Sequence, residues 1–227
     1  MGSKLPHWSF ALNSTSQSAF DLEDAVMPLL RDGAWWDTHS PYYRYAYQEA
    51  DAYFLAMERL TAGEAQLATV RGATGFNDVF ANDVPDDLIE LHEAAYRHAI
   101  SCHLFVCMAL EGFLNAYGVR RLGERFYQQN LERVGITEKL AILGVCCRQW
   151  TLAPDSEVRR DFRQLFDDRN RLVHPKTREM RWDRLEDALY GHPSEIALHE
   201  TMARLERCID FLCEADNDIH RDFYFRR

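Results

Sequence analysis

The chain of 227 residues contains no C-x-x-C pair, although it has six cysteines, Cys102, Cys107, Cys146, Cys147, Cys208 and Cys213. That absence removes the strong sequence signal for a zinc or redox site. Thiols set among apolar residues are expected to stay reduced and to pack as small hydrophobes. No uncharged apolar run reaches the roughly 18 residues of a membrane span, and no basic-then-apolar segment opens the chain. A cytoplasmic protein with no membrane contact is therefore expected. A glycine-rich phosphate loop, an H-E-x-x-H pair and a serine-nucleophile motif are missing as well. Net positive charge is also lacking: the formal net charge of −10 argues against wholesale coating of nucleic acid, whose affinity comes mainly from neutralised phosphates.

What is present is helical periodicity, in a chain with 47% hydrophobic residues, enough for one sizeable core. Residues 1–20 read as a strand or an extended arm, and Leu22 to Leu30 as a short helix ended by Gly33. Tyr43, Tyr47, Ala50, Phe54 and Met57 have amphipathic spacing, and Gly63 to Pro85 reads as a helix end followed by a long loop or short helical turns. Asp86 to Tyr117 reads as the longest helix, acidic in its first turn and closed by Gly118. A helical stretch follows to Val134, and Thr137 is expected to cap a helix reaching Trp150. Pro154-Asp155 opens another helix, Trp182 to Tyr190 forms a short one, and Pro193 to Ala215 a long one with Ile196, Met202, Leu205, Ile209 and Leu212 inward. The aromatic and basic tail, Arg221 to Arg227, either docks or frays.

Short connections and no convincing sheet imply an all-α antiparallel helical bundle. Residues 1–85 form an aromatic-rich N-terminal helical extension packing on the core, and residues 86–220 the main helical domain, in one continuous globular unit. The density of Trp35, Trp36, Tyr42, Tyr43, Tyr45, Tyr47, Tyr53 and Phe54 invites a base-stacking reading, but their helical spacing points to core packing. His92, His98 and His103 read as interior histidines. His92 and His103 share a face but stand about 16 Å apart by helical rise. The i,i+4 pairs His98/Cys102 and His103/Cys107 lack further ligands, so neither a metal nor a cofactor is expected.

The stretch with the most chemistry is Arg169-Asn170-Arg171-Leu172-Val173-His174. Val158, Phe162, Leu165, Phe166, Leu172 and Val173 recur at helical intervals, and Pro175 should stop the helix near His174. An imidazole at a helix C-terminus has its charged form favoured and titrates near neutral pH. Asn170 and His174 are stacked on one face, with Arg169 about 100° round the helix. Although residues 1–118 carry 6 basic against 16 acidic side chains, Arg169 to Arg184 carry 6 basic against 2 acidic. This local patch suits a short RNA contact or an acidic partner surface, and equally a solvated helix face. Asp167 and Asp168, adjacent and so divergent, are poorly placed as an acid/base pair.

The Arg-polar-x-x-x-His spacing at a helix end resembles the signature of the HEPN superfamily, helical domains many of which are metal-independent ribonucleases. Asp168 and Pro175-Lys176 extend the similarity, and Leu110-Glu111-Gly112-Phe113-Leu114-Asn115-Ala116-Tyr117-Gly118 looks like the earlier core helix of such domains. The resemblance covers roughly residues 86–216. It implies Arg169, Asn170 and His174 as catalytic residues on an RNA substrate, beside the basic Arg171, Lys176 and Arg178 as substrate contacts. It also implies a homodimer that brings two motifs into one cleft, and a toxin or antiviral role with an antitoxin or regulatory protein as partner. The alternative is a non-catalytic helical adaptor that keeps the fold and binds a protein or nucleotide. That adaptor would hold Arg169 and His174 in buried intramolecular salt bridges, for instance with Asp167 or Asp168.

Overall fold

The computed structural model describes residues 39–71, 84–148, 152–173 and 193–225, all within the compact unit Ala34–Arg227. They form helices α1 (His39–Arg71), α2 (Asp86–Leu122), α3 (Glu124–Asn130), α4 (Ile136–Leu143), α5 (Glu157–Val173), α6 (Leu198–Ala215) and α7 (Arg221–Tyr224). Among the described residues there is no strand, so the all-α expectation holds. The expected N-terminal arm, the Leu22 to Leu30 and Trp182 to Tyr190 helices, Trp35 and Trp36, and His174, Lys176 and Arg178 lie outside the described residues.

Helix α2 is the element on which the others pack. Asp86 and Asp87 in its first turn and Arg120 and Arg121 in its last complement the helix dipole. Its apolar residues cover more than one face because it has neighbours on several sides: α1, α4, α5 and α6 all pack against it. By length and composition it could cross a membrane, yet half of that apolar stretch is buried within the fold. Helix α1 runs antiparallel along α2, shown by Tyr42 against Phe105, Glu49 against His98, and Gly63 against Leu88. Tyr43 and Tyr53 are buried, as the core-packing reading requires, while Tyr45 stays exposed with its ring on Phe105.

One expected helix end is not an end: Gly118 lies inside α2, which continues to Leu122. Gly63 lies inside α1, whose last residue, Arg71, falls within the stretch 63–85 where an end is expected. Both are sites of close approach rather than breaks. A Cβ on Gly63 would sit 2.3 Å from Leu88 Cδ2, and one on Gly118 2.5 and 2.6 Å from the Tyr127 ring. The stop for α2 is Gly123, whose φ of 87° suits glycine. Thr137 is likewise not a cap: α4 starts at Ile136 after Gly135, and the Thr137 hydroxyl turns to Glu138 instead. Beyond Leu143 the helix widens into a π turn, Gly144–Arg148, with Cys146 exposed and Cys147 half-buried.

Helix α5 begins at Glu157, two residues after Pro154-Asp155, because Ser156 Oγ accepts the Arg159 N–H at 3.3 Å and serves as its cap. Phe162, Leu165 and Phe166 are buried, whereas Val173 is exposed at the far end. An ionic seam fastens α5 antiparallel to α6. Buried Asp161 accepts from Arg207 Nε at 2.7 Å and Nη2 at 3.1 Å, and Arg204 reaches Asp161 at 3.5 Å and Asp168 at 3.9 Å. The chain end docks. Phe225 is buried against Phe113, Tyr43 and His39, and Arg221 pairs with Glu206 and Asp210.

The two interior glycines give opposite expectations. Gly118→Ala forces a Cβ into an aromatic ring that cannot swing away and should destabilise by about 1–3 kcal/mol. Gly63→Ala meets one terminal methyl of Leu88 and gains roughly 1 kcal/mol of helix propensity, so it should come out near neutral. Urea midpoints for the two variants check this; equal shifts would contradict it.

Candidate functional site

Arg169 follows Leu165 by four residues and Phe166 by three, so it continues the buried stripe of α5 at the point where the helix leaves the core. That position points its side chain at α2. Nη2 of Arg169 donates to Glu111 Oε2 at 3.2 Å, Nη1 donates to Asn170 Oδ1 at 3.0 Å, and the guanidinium stands 5.9 Å from the Phe166 ring. The side chain is 32% exposed. A guanidinium has five N–H groups, and three of these have no protein acceptor among the described residues. A half-open, oriented fork of this kind can hold a phosphate or carboxylate.

The pairing with Glu111 joins the two stretches singled out in the sequence, 110–118 and 169–174. Asp168 is not the partner of Arg169. Its carboxylate accepts from Gln164 at 2.8 Å and from Arg171, which is 70% exposed and lies at the rim. Asn170 is exposed, one residue on from Arg169 and bonded to it. Arg169, Asn170 and Arg171 are thus together at one helix end, and the positions of His174, Lys176 and Arg178 relative to them lie outside the described residues.

Beneath Arg169 is a buried polar floor. His103 Nε2 stands 2.9 Å from the Leu165 carbonyl and Nδ1 3.3 Å from Thr201 Oγ1. A carbonyl only accepts, so Nε2 carries the proton and Nδ1 takes one from the Thr201 hydroxyl. The Cys107 thiol donates to the same carbonyl at 3.4 Å. In the helix that carbonyl also serves the Arg169 N–H. His103 and Cys107 therefore fix the turn of α5 that carries the arginine. Burial pushes the Cys107 thiol up to about 12, which leaves it inert as a nucleophile. Burial likewise lowers the basicity of His103, against the opposing pull of the Leu165 carbonyl and the Asp168 carboxylate.

Behind Glu111 lies a second polar cluster that sequence reasoning passed over. Glu111 and Asn115 are i,i+4 neighbours on α2. Asn115 Oδ1 accepts from Lys139 Nζ at 2.7 Å and from the Tyr127 hydroxyl. Lys139 is 1% exposed, on α4 just before Leu140 and one turn from Leu143, which are also buried. A signal was available: three lysines occur in the chain, and this one falls at i−4 from Leu143 on the apolar face of Ile136–Leu143. Among the described residues no group of three or more His, Cys, Asp or Glu side chains is disposed to hold a metal ion. No family model, curated protein or solved structure matches the chain.

The lowered basicity of His103 fixes the sign of a pH effect. Unfolded, this histidine takes up a proton as the pH drops below about 6.5; folded, it resists. Acidification therefore favours the unfolded chain, and the stability present above about pH 6.5 is lost as the pH falls towards the folded value. Wild type and His103→Gln, melted at pH 7.5 and 5.5, should differ in how much stability acid removes, with the smaller loss in the variant. An equal loss in both would contradict the buried neutral imidazole.

Proposed function

We propose that the chain is a metal-independent endoribonuclease of the HEPN type. The observation that supports it most is the Arg169 fork: anchored on Glu111 through one nitrogen, half-exposed, and with three N–H groups unused. RNA contains its own nucleophile. The 2′-hydroxyl oxygen bonds to the neighbouring phosphorus while the bond from phosphorus to the 5′-oxygen breaks, leaving a 2′,3′-cyclic phosphate and a 5′-hydroxyl. Two proton transfers are needed, one from the 2′-hydroxyl and one to the departing oxygen. In this reading His174 carries a proton, a contribution typically of ~10²–10⁴-fold. Arg169 holds the phosphate and stabilises charge on its equatorial oxygens. Asn170 orients that arginine, and Arg171, Lys176 and Arg178 hold flanking phosphates.

One histidine does not easily serve both transfers, so a homodimer that brings two motifs to one cleft belongs to the proposal, as does a cytoplasmic setting. Single-stranded or loop RNA is the favoured substrate, because in-line attack needs a flexible backbone and unstacked bases can be gripped. A second reading, the non-catalytic adaptor, draws on the same ion pair: Arg169 is already partnered within the chain, by Glu111. Its partial exposure and unused donors weigh against a purely structural role.

Labelled RNA incubated in EDTA with wild type and variants separates the two. Cleavage should persist in chelator, His174→Ala should remove it, and Arg169→Ala should cost nearly as much because residues acting as a unit are not additive. Asn170→Ala should cost less. Cleavage that needs magnesium, or survives His174→Ala in a folded variant, would sink the mechanism. A wild type inert on varied RNAs would favour the adaptor.

A further inference from the structure

Lys139 is 1% exposed, a position that penalises its charged form. Among the described residues no carboxylate lies within ion-pairing distance of Nζ. Its contacts are Asn115 Oδ1 at 2.7 Å, the Glu132 carbonyl at 3.5 Å and the face of the Tyr127 ring at 5.6 Å. These groups can solvate an ammonium, but none is an anion. For stability alone, an apolar side chain of similar length would serve this position as well or better. The compensation comes through space. Burial lowers the basicity of the lysine, and the carboxylates of Glu111 and Glu132 are what oppose that loss.

Glu111 pairs with Arg169 at 3.2 Å and lies one helical turn from Asn115, whose Oδ1 holds Lys139 Nζ at 2.7 Å. This arrangement changes what an incoming anion meets. Arg169 and Glu111 alone make a neutral pair, and the carboxylate offsets part of the attraction that a phosphodiester approaching the guanidinium would feel. With Lys139 behind them, the group of three carries one net positive charge, and Glu132, the other carboxylate acting on Lys139, is exposed and screened by solvent. We infer that Lys139 is a positioning residue for anion capture: its charge offsets Glu111, so that Glu111 can orient Arg169 without cancelling it, and the open face of Arg169 receives a phosphodiester. The inference rests on the reading of Arg169 as the phosphate-holding group. It adds the residue that makes an arginine with a carboxylate partner usable for that purpose. Tyr127 and Asn115 complete the device by holding Nζ in place, since Asn115 Oδ1 accepts from both.

The test is binding of a fluorescein-labelled 2′-O-methyl RNA, which cannot be cleaved by 2′-hydroxyl attack, to the full chain by anisotropy. Lys139→Met should fold, with a melting temperature equal to or above wild type, and bind roughly tenfold more weakly. Glu111→Gln keeps a carbonyl acceptor for Arg169 but removes the opposing charge, and should bind more tightly than wild type. The double variant Glu111→Gln/Lys139→Met restores the net charge and should return to within about threefold of wild type. With cleavable RNA, Lys139→Met should raise KM while leaving kcat nearly unchanged. A double variant as weak as Lys139→Met would reduce the lysine to a structural role and overturn the inference. So would Glu111→Gln binding more weakly than wild type, which decides the matter even if Lys139→Met fails to fold. A wild type that does not bind the probe overturns it as well. Binding that follows this pattern with no cleavage of 2′-hydroxyl RNA would instead remove the ribonuclease reading and leave the anion site standing.

Discussion

The enclosure of helix α2 by other helices is the constraint on which the rest of this structure depends. Neighbours on several sides bury much of its second half, so each polar residue that faces inward there must find a partner inside the protein. His103, Cys107, Glu111, Asn115 and Tyr117 all do so, on Leu165, Arg169, Lys139 and Asp216. The same enclosure makes a glycine necessary at Gly118, where the Tyr127 ring approaches too closely for a Cβ, whereas the neighbour of Gly63 is a terminal methyl of Leu88. The candidate site is therefore not a loop laid over a finished core. It is the outer end of a polar seam that starts inside the core and surfaces at Arg169.

Charge divides the arginines of this region into two groups. Arg204 and Arg207 are committed to the seam with Asp161, Asp168 and Glu200, and they fasten α5 to α6. Arg221 likewise fastens the chain end. Arg169 differs in having one carboxylate partner, a buried cation behind that partner, and donors left over. An acidic protein that is to bind a polyanion at one point needs such a local exception, because its average field repels the ligand. Placing the extra positive charge in the interior, where counter-ions cannot screen it, makes the exception persist at physiological salt.

Much of the fold was legible because helical periodicity is a local signal. The amphipathic spacings of α1, α5 and α6 and the length and apolarity of α2 could be read directly, as could the core use of Tyr43 and Tyr53. The ends were harder. Gly118 looks like a stop to any local reading, and its real reason is a neighbour on another helix, the Tyr127 ring, that leaves no room for a Cβ. Arg169 and Asn170 could be picked out by spacing at a helix end. The partner of Arg169 could not, because Asp167 and Asp168 are nearer in sequence, and it is the crossing of α5 over α2 that brings Glu111 to it. Lys139 left a mark in the sequence, a lysine on an apolar helix face. Its meaning needed the positions of Glu111 and Asn115, which come from a different helix.

In the proposed mechanism the oriented Arg169 fork and His174 let RNA break itself through its own 2′-hydroxyl. The most direct measurement is the chemistry of the product ends, read by mass spectrometry after incubation of the purified full chain with a defined single-stranded RNA. That mechanism requires 2′,3′-cyclic phosphate on the upstream fragment and a 5′-hydroxyl on the downstream one. A 3′-hydroxyl with a 5′-phosphate would mean that water or another external nucleophile made the attack, and would contradict it.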